Sequence, residues 1–411
     1  MTAYLNPAEL DATIDDLLVG APMSQGQRLL GVEVEHLILH RDTRESAPLP
    51  FCCDLMKDLV DVFEARPWFD DGVLAKMATD DFGLSMEPGG QIELDSQPKP
   101  NLAALDEIFH RVKGAIDGRL EHTPYELTAL GHAPVTKVSE LGLLPRPRYQ
   151  IMDAEMPQRG PRTINMMRAT AGFQLAFDFE NREDAGRKMA MLFRLSPVLG
   201  ALTTNSRMVE GEDSGHESFR QRVWWETDSE RIGVPEGCLD AETAISGYVR
   251  YARKACALFA NGAQGLMPSP HLPFEDLVAA GGVTAEDLEL HLTTLFPFVR
   301  PRNYLELRCF DAVPWKLARS VLALVSGLVY CRAASQAAWN LSESLAIRDP
   351  DVLRKIHLDA ARNGLEARTP DGLQFRDLAR ELIGFSTRTL GREDCDWAQV
   401  EDLEEIRARV G

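Results

Sequence analysis

Four short segments of this chain alternate strictly between apolar and polar residues, and each keeps its polar residues for one face. In the stretch from Gly31 to Leu37, Glu33 and Glu35 take the odd positions, while Val32 and Val34 take even ones. Gln91, Glu93 and Asp95 alternate with Ile92 and Leu94. Phe173, Leu175, Phe177 and Phe179 alternate with Gln174, Ala176 and Asp178, and Glu306 and Arg308 alternate with Leu305 and Leu307. A period of two marks a β-strand, whose successive side chains point to opposite faces. Strands buried on one face only belong to antiparallel or mixed sheets, because a doubly wound parallel sheet is apolar on both faces. The expected class is α/β in content (α+β), built on a mainly antiparallel sheet.

The polar faces have an unusual chemistry. Solvated strand faces ordinarily carry Thr, Ser, Lys and Gln, whereas these carry mostly acids, set two apart on two strands. If the faces converge, Glu33, Glu35, Glu93 and Glu306, joined by Glu87, come within a few ångströms of one another. Such carboxylates raise one another's pKa and cannot all ionise without a counter-charge. Hard oxygen donors select Mg²⁺ or Mn²⁺, and Mg²⁺ keeps coordination positions for substrate phosphates. An acidic half-funnel with Arg308 beside it therefore suits phosphoryl transfer from Mg-ATP, with the guanidinium stabilising charge on the transferring group.

Neither GxxxxGK[ST] nor GxGxxG occurs, so a nucleotide would be held through the metal and the sheet. A glycosidase needs two carboxylates, fewer than gather here. His36 and His40 stand four apart, but His36 shares the parity of Val32 and Val34, which makes it a core residue rather than half of a metal pair. Cys309 has the opposite parity to Glu306 and Arg308 and reads as a small buried apolar side chain.

The chain has 411 residues, 45% hydrophobic and 26% charged, enough for a sizeable core. No long Pro/Gly/Ser linker divides it, so residues 1–411 read as one catalytic unit, with about 335–411 as its C-terminal helical part. Asp and Glu number 63 against 44 Lys and Arg, a net charge of -19. That surface disfavours nucleic acid and anionic membranes as partners. The longest near-apolar run, between Arg319 and Arg332, is far shorter than the ~20 residues that span a bilayer, and reads as a core helix. The opening residues show no signal-peptide pattern, so a cytoplasmic location is expected. Seven scattered cysteines without a CxxC read as reduced thiols.

Apolar periodicity predicts helices over 101–120, 183–202, 241–260, 316–345 and 349–363, and one from the Asn6 cap to about Leu18. Residues 392–409 read as a solvated surface helix. The stretch 142–163 holds Pro145, Pro147, Pro157 and Pro161 among Arg146, Arg148, Arg159 and Arg162, and reads as an irregular functional loop. The polar stretch 208–220 reads as a candidate lid.

Longer matches add a resemblance. Gly31-Val-Glu-Val-Glu-His, Leu84-Ser-Met-Glu-Pro-Gly-Gly-Gln-Ile-Glu-Leu, and Pro147-Arg-Tyr-Gln-Ile-Met lead the series. Met166-Met167 before Gln174, Asn205-Ser206 with Glu210-Gly211, and Ser218-Phe-Arg-Gln-Arg-Val-Trp to Asp228 and Arg231 follow. The run Leu290 to Arg300, then Tyr304-Leu-Glu-Leu-Arg and Pro314-Trp315, completes it. In this order they resemble the plant-type (GCS2-like) glutamate–cysteine ligases, including the bacterial enzyme that opens ergothioneine biosynthesis.

The resemblance implies a glutamine-synthetase-like fold, with a curved sheet around a funnel. It implies that ATP phosphorylates the γ-carboxylate of glutamate and that the amine of cysteine attacks the acyl phosphate, a step of glutathione or ergothioneine biosynthesis. Glu33, Glu35, Glu87, Glu93, Gln174 and Glu306 would hold Mg²⁺ or Mn²⁺. Glu306 and Arg308 would be catalytic, with Arg308 on the transferred phosphoryl group. Arg220 would meet the substrate carboxylate, while Trp224, Asp228 and Arg231 shape that end of the pocket. Four positions depart from the family: Ala169, Ala171 and Ala176 stand where Arg, Cys and Asn are usual, and His36 stands where lysine is frequent. The alanines open the alternative of an amine acceptor other than cysteine; a non-catalytic binding relative is a second alternative.

Overall fold

The computed structural model describes residues 4–21, 28–262, 265–392 and 395–411. The strands that position the site are β1 (Leu30–His40), β2 (Arg66–Asp70), β3 (Val73–Ala78), β4 (Phe82–Met86), β5 (Ile92–Ser96), β6 (Tyr125–Thr128), β7 (Gly172–Phe177), β8 (Val299–Pro301) and β9 (Leu305–Asp311). They form one sheet in the order β8-β9-β7-β1-β5-β4-β3-β2, with β6 on the far half of β1. Every pairing among these strands is antiparallel. All four alternating segments are strands, as expected, and all four are consecutive neighbours in the order β9-β7-β1-β5.

Register brings the polar residues into line. Glu33 sits opposite Gln174 on one side and Asp95 on the other, and Glu35 sits opposite Glu93. Glu306 pairs with Ala176 on β7 and with Arg300 on β8. The opposite face is core: Val32, Val34, Ile92, Leu94, Phe173, Leu175, Leu305 and Leu307 are all buried. His36 is buried with them and lies 5.9 Å from the Phe109 ring, and Cys309 is fully buried, both as their parity implies.

Helices cover this apolar face. They include α1 (Leu102–Leu120), α4 (Arg182–Ala201) and α6 (Trp315–Tyr330), while α2 (Pro147–Glu155), α3 (Thr163–Ala169) and α5 (Phe219–Trp225) surround the polar side. α4 starts at the Asn181 cap, whose side chain accepts from the Asp184 amide at 3.0 Å, and is buried almost all round. One hydrophobic cluster takes in residues from Leu10 to Val410.

Several expectations need correction. The stretch 142–163 is not irregular throughout: Pro147 opens α2 and Pro157 opens a 3₁₀ turn at Met156–Gln158. Proline is tolerated at first helical positions, where its missing N–H would have no partner anyway. In 208–220, Met208–Val209 and Glu212–Asp213 pair as a small hairpin, and the end of the stretch is already α5. The helix expected over 316–345 breaks at Cys331 into α6 and α7 (Arg332–Ser344), bent by 91°. Within 241–260 only Ala244–Lys254 is helical, and Phe259–Gly262 pairs with Gly265–Pro268.

The C-terminal segment is not a solvated helix. Leu403, Ile406 and Val410 are buried along one stripe of a helical end that begins at Val400. Helices Leu49–Phe63 and Phe375–Thr387 were not anticipated. Cys331 and Cys395 form a disulfide, with Cα atoms 5.5 Å apart, so the seven cysteines are not all reduced thiols. These two residues stand 64 apart in the chain, and only the packing of the C-terminal segment on α6 brings them together. Among the described residues, no single helix is long and apolar enough to cross a membrane.

Candidate active site

The polar face of the sheet is the floor of a cleft of about 530 Å³. Glu33, Glu35 and Glu93 rise from β1 and β5, Gln174 from β7, and Arg300, Arg302 and Arg308 from β8, β9 and their junction. Arg148 and Tyr149 of α2, Trp224 of α5 and Phe296 wall it in. A second cavity of about 220 Å³ shares Glu33, Asp95, Gln174 and Tyr304 and adds Glu306 and Ala176.

Glu87 reaches the cleft through the turn Glu87-Pro-Gly-Gly-Gln91 between β4 and β5. The Glu87 amide donates to the Gln91 carbonyl at 2.9 Å, and the Gly90 amide donates to the Glu87 carbonyl at 3.0 Å. Gly90 has φ +91°, which favours glycine. Gly89 presses against the end of α3, where a Cβ would lie 2.1 Å from the Arg168 carbonyl oxygen. The buried Gln91 amide then donates to the Thr170 carbonyl at 2.8 Å. Gly89, Gly90 and Gln91 thus each have a mechanical reason for their identity.

β9 carries a bulge. Leu307 pairs with Leu175 and Phe310 with Phe173, so Arg308 and Cys309 together oppose Gln174. The extra residue resets the alternation. Phe310 enters the core, stacked on Phe173 at 4.6 Å, and Asp311 turns to the polar side. There Asp311 accepts from the Asn205 amide (2.9 Å), the Ser206 hydroxyl (2.6 Å) and the Ser218 hydroxyl (2.7 Å). Ser218 caps α5, which carries Arg220, and Ser206 bridges to Ser218 and accepts from the Arg220 amide at 3.0 Å.

Two opposite electrostatic regimes meet in the cleft. Burial, reinforced by Glu306, pushes Glu33 up to about 7. Burial and the Glu35 charge push Glu87 up to about 7, and burial with Glu33, Glu87 and Glu35 lifts Glu93 well above the usual carboxylate range. Glu35 is also raised by burial, against the pull of Arg220 and of the Gly172 amide, which donates to it at 2.6 Å. Burial would raise Glu306 as well, but Arg300, Arg308 and Arg302 overcome it and bring its carboxyl down to about 2. Glu306 accepts from Arg300 at 2.6 Å, from Arg308 at 3.2 Å and from the Tyr304 hydroxyl at 3.1 Å. Arg308 also donates to the Gln174 side-chain oxygen.

The expected acids therefore share one cleft, but they are not packed within a few ångströms of one another. Among the described residues, no three of their carboxylate groups bring oxygens within 4.8 Å of each other. Three of the acids take donors of their own: Ser85 for Glu93, Gly172 for Glu35, and three arginines for Glu306. An all-oxygen donor set whose carboxyls Glu33, Glu35, Glu87 and Glu93 are raised by burial and by one another's charge still fits a hard divalent cation that shares its shell with phosphate oxygens.

Of the residues expected at the substrate end, Trp224 lines the cleft. Arg220 is buried behind it, its guanidinium carbon 5.4 Å from the Trp224 ring, and its Nε and Nη1 have no hydrogen-bond partner. Asp228 and Arg231 are buried away from the cleft lining. Arg231 lies 3.2 Å from Asp228 and donates to the Thr294 hydroxyl at 2.9 Å and to the Cys256 carbonyl. They brace the wall without reaching the cleft.

Sequence reasoning missed Arg300, Arg302 and Tyr149. Arg300 sits in a quoted motif, but its three-residue strand is too short to show alternation. Of the departing positions, Ala169 and Ala171 lie in a small apolar cluster with Leu37, Leu39, Ala133 and Ala312, and only Ala176 faces a cavity of the site.

Comparison with known proteins agrees with this geometry. The model of the glutamate–cysteine ligase family 2 (GCS2) matches residues 29–406. The chain belongs to this family. It is 28% identical over 392 residues to the chloroplastic glutamate–cysteine ligase B of Oryza sativa subsp. japonica, covering 93% of this chain and 77% of that protein. It is 27% identical over 374 residues to the chloroplastic glutamate–cysteine ligase of Arabidopsis thaliana, covering 88% of this chain and 70% of that one. Among solved structures, it resembles a glutamate–cysteine ligase from Francisella tularensis in complex with AMP. That match has a TM-score of 0.57 at 10% identity and covers 93% of this chain and 82% of the other. The fold of this family member is thus the glutamine-synthetase-like one that the resemblance implied.

Proposed function

We propose that this chain is an ATP-dependent ligase that joins the γ-carboxylate of L-glutamate to the amine of L-cysteine. The observation that carries this reading is the opposition, across one cleft, of raised carboxylates on β1 and β5 to an arginine group on β8 and β9. Family membership and the AMP-bound relative support ATP as co-substrate. Glu33, Glu35, Glu87 and Glu93, with Gln174 beside them, would hold Mg²⁺ or Mn²⁺, which neutralises phosphate charge when bound.

In the first half-reaction a γ-carboxylate oxygen of glutamate attacks the terminal phosphorus of ATP, and ADP leaves. In the second, the amine attacks the acyl carbon, phosphate leaves, and the amine proton passes to solvent or phosphate. The products are γ-glutamylcysteine, ADP and phosphate, a step of glutathione or ergothioneine biosynthesis. Arg308, with Arg300, lies on the side where charge would develop on the transferring group. Glu306 keeps both guanidinium groups in place; it would also serve as a metal ligand only if one of them moved aside. Arg220, with two unpartnered donors beside Glu35, would take a glutamate carboxylate. The whole chain acts as one catalytic unit in this reading.

The test is ADP release with Mg-ATP and glutamate, with and without cysteine, followed by a panel of other amines. Cysteine-dependent turnover that disappears in Glu306→Ala is expected. A different amine that outperforms cysteine by orders of magnitude would instead support an altered acceptor. No ATP turnover by the folded wild type under any acceptor would leave a non-catalytic relative.

A further inference from the structure

Outside the cleft, ligand atoms of Glu230, Cys256 and His271 lie within 4.8 Å of one another. They come from three segments: the loop after α5, the turn that follows helix Ala244–Lys254, and the turn before helix Phe274–Ala280. The donors are a sulfur, an imidazole nitrogen and a carboxylate oxygen, unlike the all-oxygen set of the cleft. Cys256 is buried, whereas Glu230 and His271 are exposed, so the set opens to solvent on one side. Sulfur and imidazole donors favour Zn²⁺ strongly over Mg²⁺, and three protein ligands leave a fourth tetrahedral position for water.

We propose that Glu230, Cys256 and His271 form a Zn²⁺ site, chemically and spatially separate from the nucleotide cleft. The thiol proton leaves to solvent as the thiolate takes the ion. The surroundings give the site a positioning role. The Cys256 carbonyl accepts from Arg231, the neighbour of Glu230, and Cys256 forms a β-bridge with Pro273. The Arg231 carbonyl in turn accepts from the Phe296 amide at 2.7 Å, and Phe296 packs 5.9 Å from Trp224 on the cleft wall. A bound ion would tie these three segments together directly behind that wall.

The experiment uses the full-length protein, stripped with a chelator and then held in excess Mg²⁺ to occupy the oxygen donors of the cleft. About one equivalent of Zn²⁺ per chain should be retained after desalting. Co²⁺ should produce a thiolate-to-metal charge-transfer absorption that Cys256→Ser abolishes. His271→Ala should weaken Zn²⁺ binding by about 100-fold or more, since even outer-shell partners of a metal contribute about 10- to 100-fold. Because His271 is exposed, that variant keeps the test decisive if Cys256→Ser does not fold. Wild type that retains no Zn²⁺, or undiminished Zn²⁺ binding in His271→Ala, overturns the proposal.

Discussion

At the scale of single residues, the cleft separates two states of the same side chain. Glu33 and Glu306 are both buried acids on one sheet face, yet one sits near 7 and the other near 2. Burial raises both; at Glu33 the acids Glu306 and Asp95 add to it against Arg308 and Arg300, whereas at Glu306 three arginines overcome it. Arg308 is the hinge between them, since it touches Glu306 and Gln174 and its charge also opposes the rise at Glu33. Arg308→Ala should lower kcat by about 10³-fold, comparable with other charge-stabilising arginines in phosphoryl transfer. Arg308→Lys should recover only part of this, because an ammonium cannot reproduce the planar fork. ADP release under saturating substrates checks both. Arg220→Ala should raise the KM for glutamate by about 10- to 100-fold, equivalent to the ~1.5–3 kcal/mol of a hydrogen bond to a charged group. The KM for ATP should barely move, and a change confined to ATP would contradict the assignment.

At the scale of elements, two local irregularities deliver the chemistry. The bulge in β9 lets Arg308 face the cleft while Phe310 fills the core, and it turns Asp311 towards the residues that cap α5. The Glu87–Gln91 turn lets β4 and β5 approach α3 through a backbone contact at Gly89 that only glycine allows. Gly89→Ala should therefore destabilise by about 1–3 kcal/mol, as overpacking does, and should reduce kcat/KM because Glu87 shifts with the turn. Gly114→Ala is the control. It lies within α1, a Cβ there meets nothing within 4 Å, and alanine should be neutral or stabilising by about 0.5–1 kcal/mol. Urea midpoints and steady-state rates on both variants separate the outcomes.

At the scale of the whole molecule, buried histidines set a pH response. His291 and His357 are buried, and burial pushes both down to about 3. His357 is stacked on Phe298 at 4.6 Å and hydrogen-bonded to Ser196 at 2.8 Å, beside Trp225. Between about pH 6.5 and 3 the unfolded chain binds the proton and the folded chain does not. Their contribution is fully present above about pH 6.5 and is lost as pH falls through that window. The raised cleft acids act in the opposite sense, since the folded state holds their protons between about pH 4.5 and 7. A single variant isolates the histidine effect: His357→Gln should flatten the decline in urea midpoint between about pH 7 and 5 relative to wild type. An unchanged slope would show that His357 does not carry it.

Much of this was written locally. Period-two alternation at 31–37, 91–95, 173–179 and 304–309 is a property of consecutive side chains, so the polar row and its acids could be read before any packing was known. The motif around Glu87 and the family it indicates were legible for the same reason: a turn that permits only glycine at one point constrains its own few residues. Other features depend on partners far along the chain. Arg300 joined Glu306 through a strand too short to alternate, α6 and α7 parted at a bend that periodicity does not mark, and Cys331 met Cys395 only after the C-terminal helices docked. The sequence by itself determined which faces would be acidic and which chemistry they suit, because those depend on neighbours in the chain. Only the tertiary structure decided how the charges are partitioned, why Ala169 and Ala171 belong to the core, and which arginines hold Glu306 ionised, because burial and Coulomb interaction act through space.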